Sequence, residues 1–251
     1  MNRPMMAAIM CGGKGSRMNQ ELTFEKPMLL FRGKPMVGHV LDALVSSKRF
    51  SSVVGITSCH TTATSKYLRN LNNCVNRLHL IETSGFDYST DLGQVIEMLK
   101  PSEIIVVPSD LPILKAETIN DILKSWNPEA SFVSIIMEKS FIESMGLIPS
   151  IVISVEKVEY CYTGITMIDT SRILTGVEAN ESYIVMNRED IAFNINTMED
   201  LKAVNAYLNE SRAANNFPKI RAFPPLFTAI SFPQDLHGIS IVVWEKIIIF
   251  S

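Results

Sequence analysis

The sequence has no C-x-x-C pair and no cluster of histidines. Its four cysteines, Cys11, Cys59, Cys74 and Cys161, are scattered along 251 residues, which argues against a zinc site and a disulfide framework. Reduced, structural thiols in a cytoplasmic protein are the expectation. No apolar run is long enough to cross a bilayer, since the strongest, residues 239–250, contains Glu245 and Lys246 and is too short. The run from Met5 to Cys11 is also too short for a signal-peptide core and leads into a charged glycine loop. Neither sign of charge dominates. Lys and Arg number 23 against 26 Asp and Glu, for a net charge of −3, which argues against a general binder of nucleic acid or anionic membranes. Tandem repeats and low-complexity tracts are absent as well.

What is present is a rhythm. Apolar β-type runs, "AAIMC" at 7, "SSVVGIT" at 51, "RLHLIET" at 77, "EIIVVPS" at 103 and "SFVSIIM" at 131, alternate with helical patterns. The helices are predicted over Pro35–Lys48, Ala63–Leu71, Asp91–Leu99 and Ala116–Trp126, with Asp91 as the N-cap of the third. Continuous apolar strands separated by helices predict an α/β fold, a doubly wound and mostly parallel sheet covered on both faces. After Pro149 come shorter β-like pieces at 150 and 163. A terminal helix comes next, with Thr197 and Asp200 resembling a capping box and an end near Arg212. Residues 1–212 therefore read as one domain. The extension 213–251 reads as a β-hairpin, a swapped or dimerising strand that would make a homodimer, or a poorly ordered tail.

Residues 7–18, "AAIMCGGKGSRM", place glycines and two cations directly after the first strand. In a doubly wound sheet, ligands sit outside the carboxyl ends of strands, and such a turn holds phosphates on backbone N–H groups. Gly12, Gly13 and Gly15 permit close approach. Lys14 and Arg17 can neutralise the charge, with Ser16 between them. The basic residues Arg3, Lys14, Arg17, Lys26, Arg32 and Lys34 face only Glu21 and Glu25 over residues 1–35, so the anion site is local. The spacing matches neither the P-loop nor the dinucleotide fingerprint.

The loop together with "EKPML", residues 25–29, resembles the nucleotidyltransferase superfamily that joins an NTP to a phosphorylated acceptor and releases pyrophosphate. The resemblance implies a Rossmann-like, GT-A-like nucleotidyltransferase domain. It also implies that Arg17 and the loop amides hold the β and γ phosphates while Lys26 meets the α-phosphate. A magnesium ion is implied, since such an ion takes one or two protein oxygens and completes its shell with phosphate and water. Asp110, at the end of an apolar strand in "VVPSDLP", either binds that metal or caps the next helix. The segment "FNINTMEDL" resembles a second ligand region in which Asn194 or Asn196 lies near the metal; one of them could instead cap the terminal helix.

Further segments narrow the resemblance, over about residues 6–208, to the archaeal-type adenosylcobinamide-phosphate guanylyltransferases. They are the "GITS" strand end, "ETSGFDYSTDLGQVIE", "YTGITMID" and "FNINTMEDLK". This implies GTP and adenosylcobinamide phosphate as substrates. Guanine presents two donors and an acceptor, so Ser84, Gly85, Asp87 and Asp91, with Thr57 and Ser58 at the neighbouring strand end, are candidates to read it; Tyr88 either stacks or covers core. Gly164 either admits ribose or acceptor phosphate against the backbone or marks a β-bulge. The competing readings are a molybdenum cofactor or other small-phosphate guanylyltransferase, and a nucleotide-binding sensor or scaffold without turnover. Direct in-line transfer fits the lack of a convincing nucleophile–base pair around the four histidines.

Overall fold

The computed structural model describes residues 5–13, 25–72, 75, 77–127, 129–173, 179–215 and 241–247. The five apolar runs all form strands: β1 (Met5–Met10), β4 (Ser52–Ser58), β5 (Leu78–Thr83), β6 (Glu103–Pro108) and β7 (Phe132–Glu138). Between β1 and β4 lie a 3₁₀ turn at Lys26–Met28, a small ribbon of β2 (Leu30–Phe31) and β3 (Lys34–Pro35), and helix α1 (Met36–Ser47). Helices α2 (Thr62–Asn72), α3 (Tyr88–Met98) and α4 (Ala116–Lys124) fall where periodicity predicts them.

β1 pairs in parallel with β4 on one side and β6 on the other, and β5 extends the sheet in parallel beyond β4. Chain order therefore reverses between β1 and β6. Crevices at such a switch point, outside the carboxyl strand ends, are where doubly wound sheets bind ligands. The loop carrying Gly12 and Gly13 leaves β1 there, and Asp110 lies just beyond β6.

The second half departs from simple winding. After α5 (Lys139–Ser144), β8 (Val152–Val155) and β9 (Val158–Asp169) form a hairpin, and β9 runs antiparallel between β6 and β7. β10 (Ala179–Val185) pairs in parallel with β7, and β11 (Ile241–Ile247) pairs antiparallel with β10 at the edge. The sheet is thus parallel through β5, β4, β1 and β6, with β9 inserted antiparallel between β6 and β7. α6 (Glu189–Ala192) and α7 (Met198–Asn215) complete the described chain.

Two apolar layers cover the faces. The larger gathers α1, α4 and α7 residues such as Val40, Ile119 and Val204 against Ile9, Val107 and Ile135; the other packs Leu92, Val95 and Ile96 of α3 on Ala8, Ile56 and Ile104. Truncating one such buried Leu or Ile to Ala costs about 2–5 kcal/mol, so both layers hold the strand ends in register.

Two helix boundaries differ from expectation. α3 begins at Tyr88, because the Asp87 carboxylate accepts the Thr90 N–H at 2.7 Å and is the N-cap. Asp91, expected in that role, is buried and turned back to accept from Ser84 Oγ at 3.1 Å and Gly85 N at 2.9 Å. α7 continues past Arg212 to Asn215. Its start is as expected, with Thr197 N–H donating to Asp200 Oδ2 at 2.8 Å and Asp200 N–H to Thr197 Oγ1 at 3.1 Å.

Candidate active site

At the switch point, Lys26, Asp110, Asn194 and Asn196 come together from three distant parts of the chain. Lys26 Nζ is ion-paired with Asp110 Oδ2 and donates to Asn196 Oδ1 at 2.8 Å. Asn196 Nδ2 in turn donates to Asn194 Oδ1 at 3.0 Å. The local cause is alternation: in Phe193–Asn196 the apolar Phe193 and Ile195 are buried in the core, which leaves both amides on the opposite side. Ile195 N–H also bonds the Asp110 carbonyl at 3.0 Å, locking this segment to the end of β6.

Asp110 Oδ1 is buried and has no hydrogen-bond partner among the described residues. An orphaned carboxylate oxygen is costly unless a ligand satisfies it. Beside it lie amide oxygens, a hard-oxygen donor set of the kind magnesium uses when phosphate and water supply the remaining positions. These residues fit such an ion: Asp110 and Asn196 would hold it, with Asn194 bonded behind Asn196.

A second group forms around Gly12. Its carbonyl accepts from Ser58 Oγ at 2.7 Å, and a Cβ there would lie 3.2 Å from Asp91 Oδ2 and 3.5 Å from Thr83 Oγ1. Gly85 closes the group at φ +66°, where a side chain would be strained and would strike Ser58. Ser84, Gly85 and Asp91 are thus joined to the β1 loop. Asp87 lies at the rim, its carboxyl held below the usual range chiefly by the Thr90 N–H. Thr57 and Ser58 both line a 280 Å³ cavity with Thr62, Ser65, Lys66, Arg69 and Glu82, and the Thr57 carbonyl accepts from Thr83 Oγ1 at 3.2 Å. Gly13 is exposed. Lys14, Gly15, Ser16 and Arg17 lie outside the described residues.

Gly164, at φ +80°, occupies the irregularity in β9 where the β7 register shifts between Ser134 and Ile136, so it does mark a bulge. A Cβ would press on Pro108 Cγ at 3.1 Å. The bulge thereby seats β9 against the turn that carries Asp110.

On the far side of Asn194 and Asn196 opens a cavity of 380 Å³. Its walls include Met137, Ile142, Leu147, Cys161 and Thr163, and its lip includes Ile148, which is 86% exposed. One end is therefore polar and shared with the Lys26 cluster, while the other is apolar. Burial raises the Cys11 and Cys161 thiols above the ordinary range, which disfavours their thiolate forms.

One residue with a clear part in this geometry had no assigned role in the sequence. Glu25 bonds the N-terminus of α2, accepting from Ala63 N and Thr64 N, each at 2.7 Å. Its signal was its place in the "EKPML" segment beside Lys26.

Comparison with known proteins gives the family. Residues 7–158 match the family described as the MobA-like NTP transferase domain. The adenosylcobinamide-phosphate guanylyltransferase of Methanocaldococcus jannaschii is 28% identical over 217 residues, covering 82% of this chain and 98% of that protein. A "Probable molybdenum cofactor guanylyltransferase" of Pyrococcus horikoshii is 30% identical over 126 residues, 49% of this chain and 57% of its own length. Among solved structures, a CMP:2-keto-3-deoxy-manno-octonic acid synthetase complexed with CTP superposes with a TM-score of 0.58 at 13% identity, over 84% of this chain and all of that one, a likeness of fold. No helix among the described residues is long and apolar enough to cross a membrane.

Proposed function

Because the chain belongs to the MobA-like NTP transferase family, we propose that it transfers the guanylyl group of GTP to adenosylcobinamide phosphate and releases pyrophosphate. An oxygen of the acceptor phosphate attacks the α-phosphorus, a new P–O bond forms, and the bond to the β-phosphate oxygen breaks with its electrons leaving on pyrophosphate. Negative charge grows at the transferring centre, and preorganised cations meet it at low reorganisation cost. Lys26 is the described residue placed to do so. A magnesium ion held by Asp110 and Asn196 would neutralise phosphate charge when bound.

The observation that carries this reading is the convergence of Lys26, Asp110 and Asn196 at the switch point, between the Gly12 group and the 380 Å³ cavity. In the proposal GTP lies on the first side, its base toward Ser84, Gly85 and Asp91. The acceptor lies on the second. A corrinoid is a wide ring with apolar faces and amide arms. The cavity suits its phosphate-bearing arm, the lip at Ile148 offers apolar surface to the ring, and exposed Glu199 can accept from an amide. Similarity of 28% along nearly the full length of the M. jannaschii enzyme supports this acceptor over molybdopterin, since a molybdenum cofactor guanylyltransferase of Thermococcus sibiricus that matches over an equal length is 22% identical.

The test is pyrophosphate release with GTP and magnesium, offering adenosylcobinamide phosphate and molybdopterin in parallel, with no acceptor as the blank. Release with the corrinoid alone is expected. Release only with molybdopterin would move the assignment to the neighbouring acceptor, and silence with both, despite GTP binding, would overturn it.

A further inference from the structure

We infer that Glu25 is a positioning residue for Lys26, its carboxylate plugging the N-terminus of α2 so that the lysine reaches Asp110 and Asn196 from one fixed point. The inference rests on the proposed role of Lys26 in guanylyl transfer. A helix leaves its first N–H groups without intrahelical partners. In α2 two of these, on Ala63 and Thr64, are taken by Glu25 at 2.7 Å each, and Thr64 Oγ1 adds a third bond at 2.6 Å. The nearest local hydroxyl is committed elsewhere, since Thr61 Oγ1 accepts from Ser58 N at 2.9 Å. The cap is therefore supplied from 38 residues away in sequence.

The turn that begins at Glu25 is stiff. Pro27 is buried with its φ fixed by the ring, and the turn is closed by Met28 N–H to the Glu25 carbonyl at 2.9 Å and Leu29 N–H to the Lys26 carbonyl at 3.1 Å. Adjacent residues are thus tied to two different walls of the site, Glu25 to α2 and Lys26 to the ends of β6 and the Asn194–Asn196 segment. Only the torsions of the lysine side chain remain free. The plug has a second effect. An open helix N-terminus attracts phosphate, and a carboxylate seated there turns phosphate away, toward the loop after β1.

The experiment compares Glu25→Ala, Glu25→Gln and, as a helix-weakening control, Asn70→Gly on the exposed side of α2. Two readouts are taken: kcat and KM for GTP, and the lysine-ammonium NMR signal, which is visible when the ammonium is held in hydrogen bonds and is assigned by its loss in Lys26→Met. Glu25→Ala should lower kcat by about 100-fold, the size of effect a roughly 1 Å misplacement produces, with a smaller change in KM and with loss or displacement of the Lys26 signal. Glu25→Gln, which keeps one acceptor oxygen, should recover part of both. Asn70→Gly should lower thermal stability and leave kcat and the signal in place. An unmoved Lys26 signal in Glu25→Ala, or an equal loss of kcat in Asn70→Gly, would overturn the inference. The NMR result decides the positioning question even if the wild-type chain proves inactive with both acceptors, so failure of the proposed reaction is distinguishable from failure of this assignment.

Discussion

The Lys26 ammonium donates to Asn196 Oδ1 at 2.8 Å while paired with Asp110, so one cation bridges two groups 86 residues apart in sequence. Lysine thus stands where the donor set would otherwise present uncompensated oxygens. Removing it should affect both chemistry and metal binding.

Lys26→Met is expected to lower kcat by about 10²–10³-fold, the usual loss when one preorganised donor to a developing charge is deleted. The change in GTP affinity should be much smaller, because the contact strengthens as charge develops. Without nucleotide, the same variant should bind Mn²⁺ more tightly than the wild type, since the competing ammonium is gone. Equal losses in kcat and GTP affinity, with unchanged Mn²⁺ binding, would contradict the role.

Asp110→Asn is expected to raise the magnesium concentration needed for half-maximal turnover, because an anionic hard-oxygen ligand is replaced by a neutral amide. A titration of rate against magnesium checks this. An unchanged midpoint would remove Asp110 from the metal.

Asn196 touches Lys26 directly, whereas Asn194 acts through Asn196. Asn196→Ala should therefore reduce kcat more than Asn194→Ala, and the double variant should be little worse than Asn196→Ala alone. Additive losses would mean that the two amides work independently.

Asp87 caps α3, and its folded carboxyl titrates below the ordinary range. A depressed carboxylate stabilises the fold at neutral pH and loses that contribution as pH falls through its lowered value. Asp87→Asn should accordingly lower the melting temperature at pH 7, with the gap to wild type closing in acid. Loss of GTP binding at neutral pH, beyond the stability effect, would point to a direct part in the base site as well.

In the β8–β9 hairpin, Glu156 and Lys157 adopt φ of 50° and 71°, a turn geometry that favours Asn-Gly. The pair Glu156→Asn with Lys157→Gly should stabilise the chain by about 1 kcal/mol through relief of left-handed strain, with turnover unchanged. Thermal melting checks the first and pyrophosphate release the second.

The parallel half was legible because its strands are continuous apolar runs, as in Ile104–Val107, with nothing polar to obscure the pattern. β10 was not. Its Glu181 is buried and satisfied by Tyr162 Oη at 3.0 Å and Tyr183 Oη at 2.8 Å, with Ser134 as a further donor, and hydropathy reads such a carboxylate as exposed. Lys26 and Asp110 were legible from motif and strand end. The division of labour between Asp87 and Asp91 was not, because both suit a cap and only the return of the Ser84–Gly85 loop decides between them. Ser58 illustrates the same limit, since only the folded chain shows its hydroxyl donating to the Gly12 carbonyl. Glu25 shows it most clearly, as a cap reaching across sequence leaves no local pattern.

At Cys161, β9 lies antiparallel between β7 and β8. Tyr162 N–H bonds the Ile151 carbonyl at 3.2 Å and Thr163 Oγ1 the Ile135 carbonyl at 2.8 Å, so these residues reach the cavity from inside a strand bonded on either side. A wall of that kind cannot swing open as a loop does. In the acceptor mode proposed above, the cavity floor would act as a mould cast before the ligand arrives, and a molecule of the wrong contour would be turned away there. Under that proposal, a change of acceptor would require recasting Met137, Cys161 or Thr163 themselves, since loosening the chain around them would leave the shape of the floor as it is.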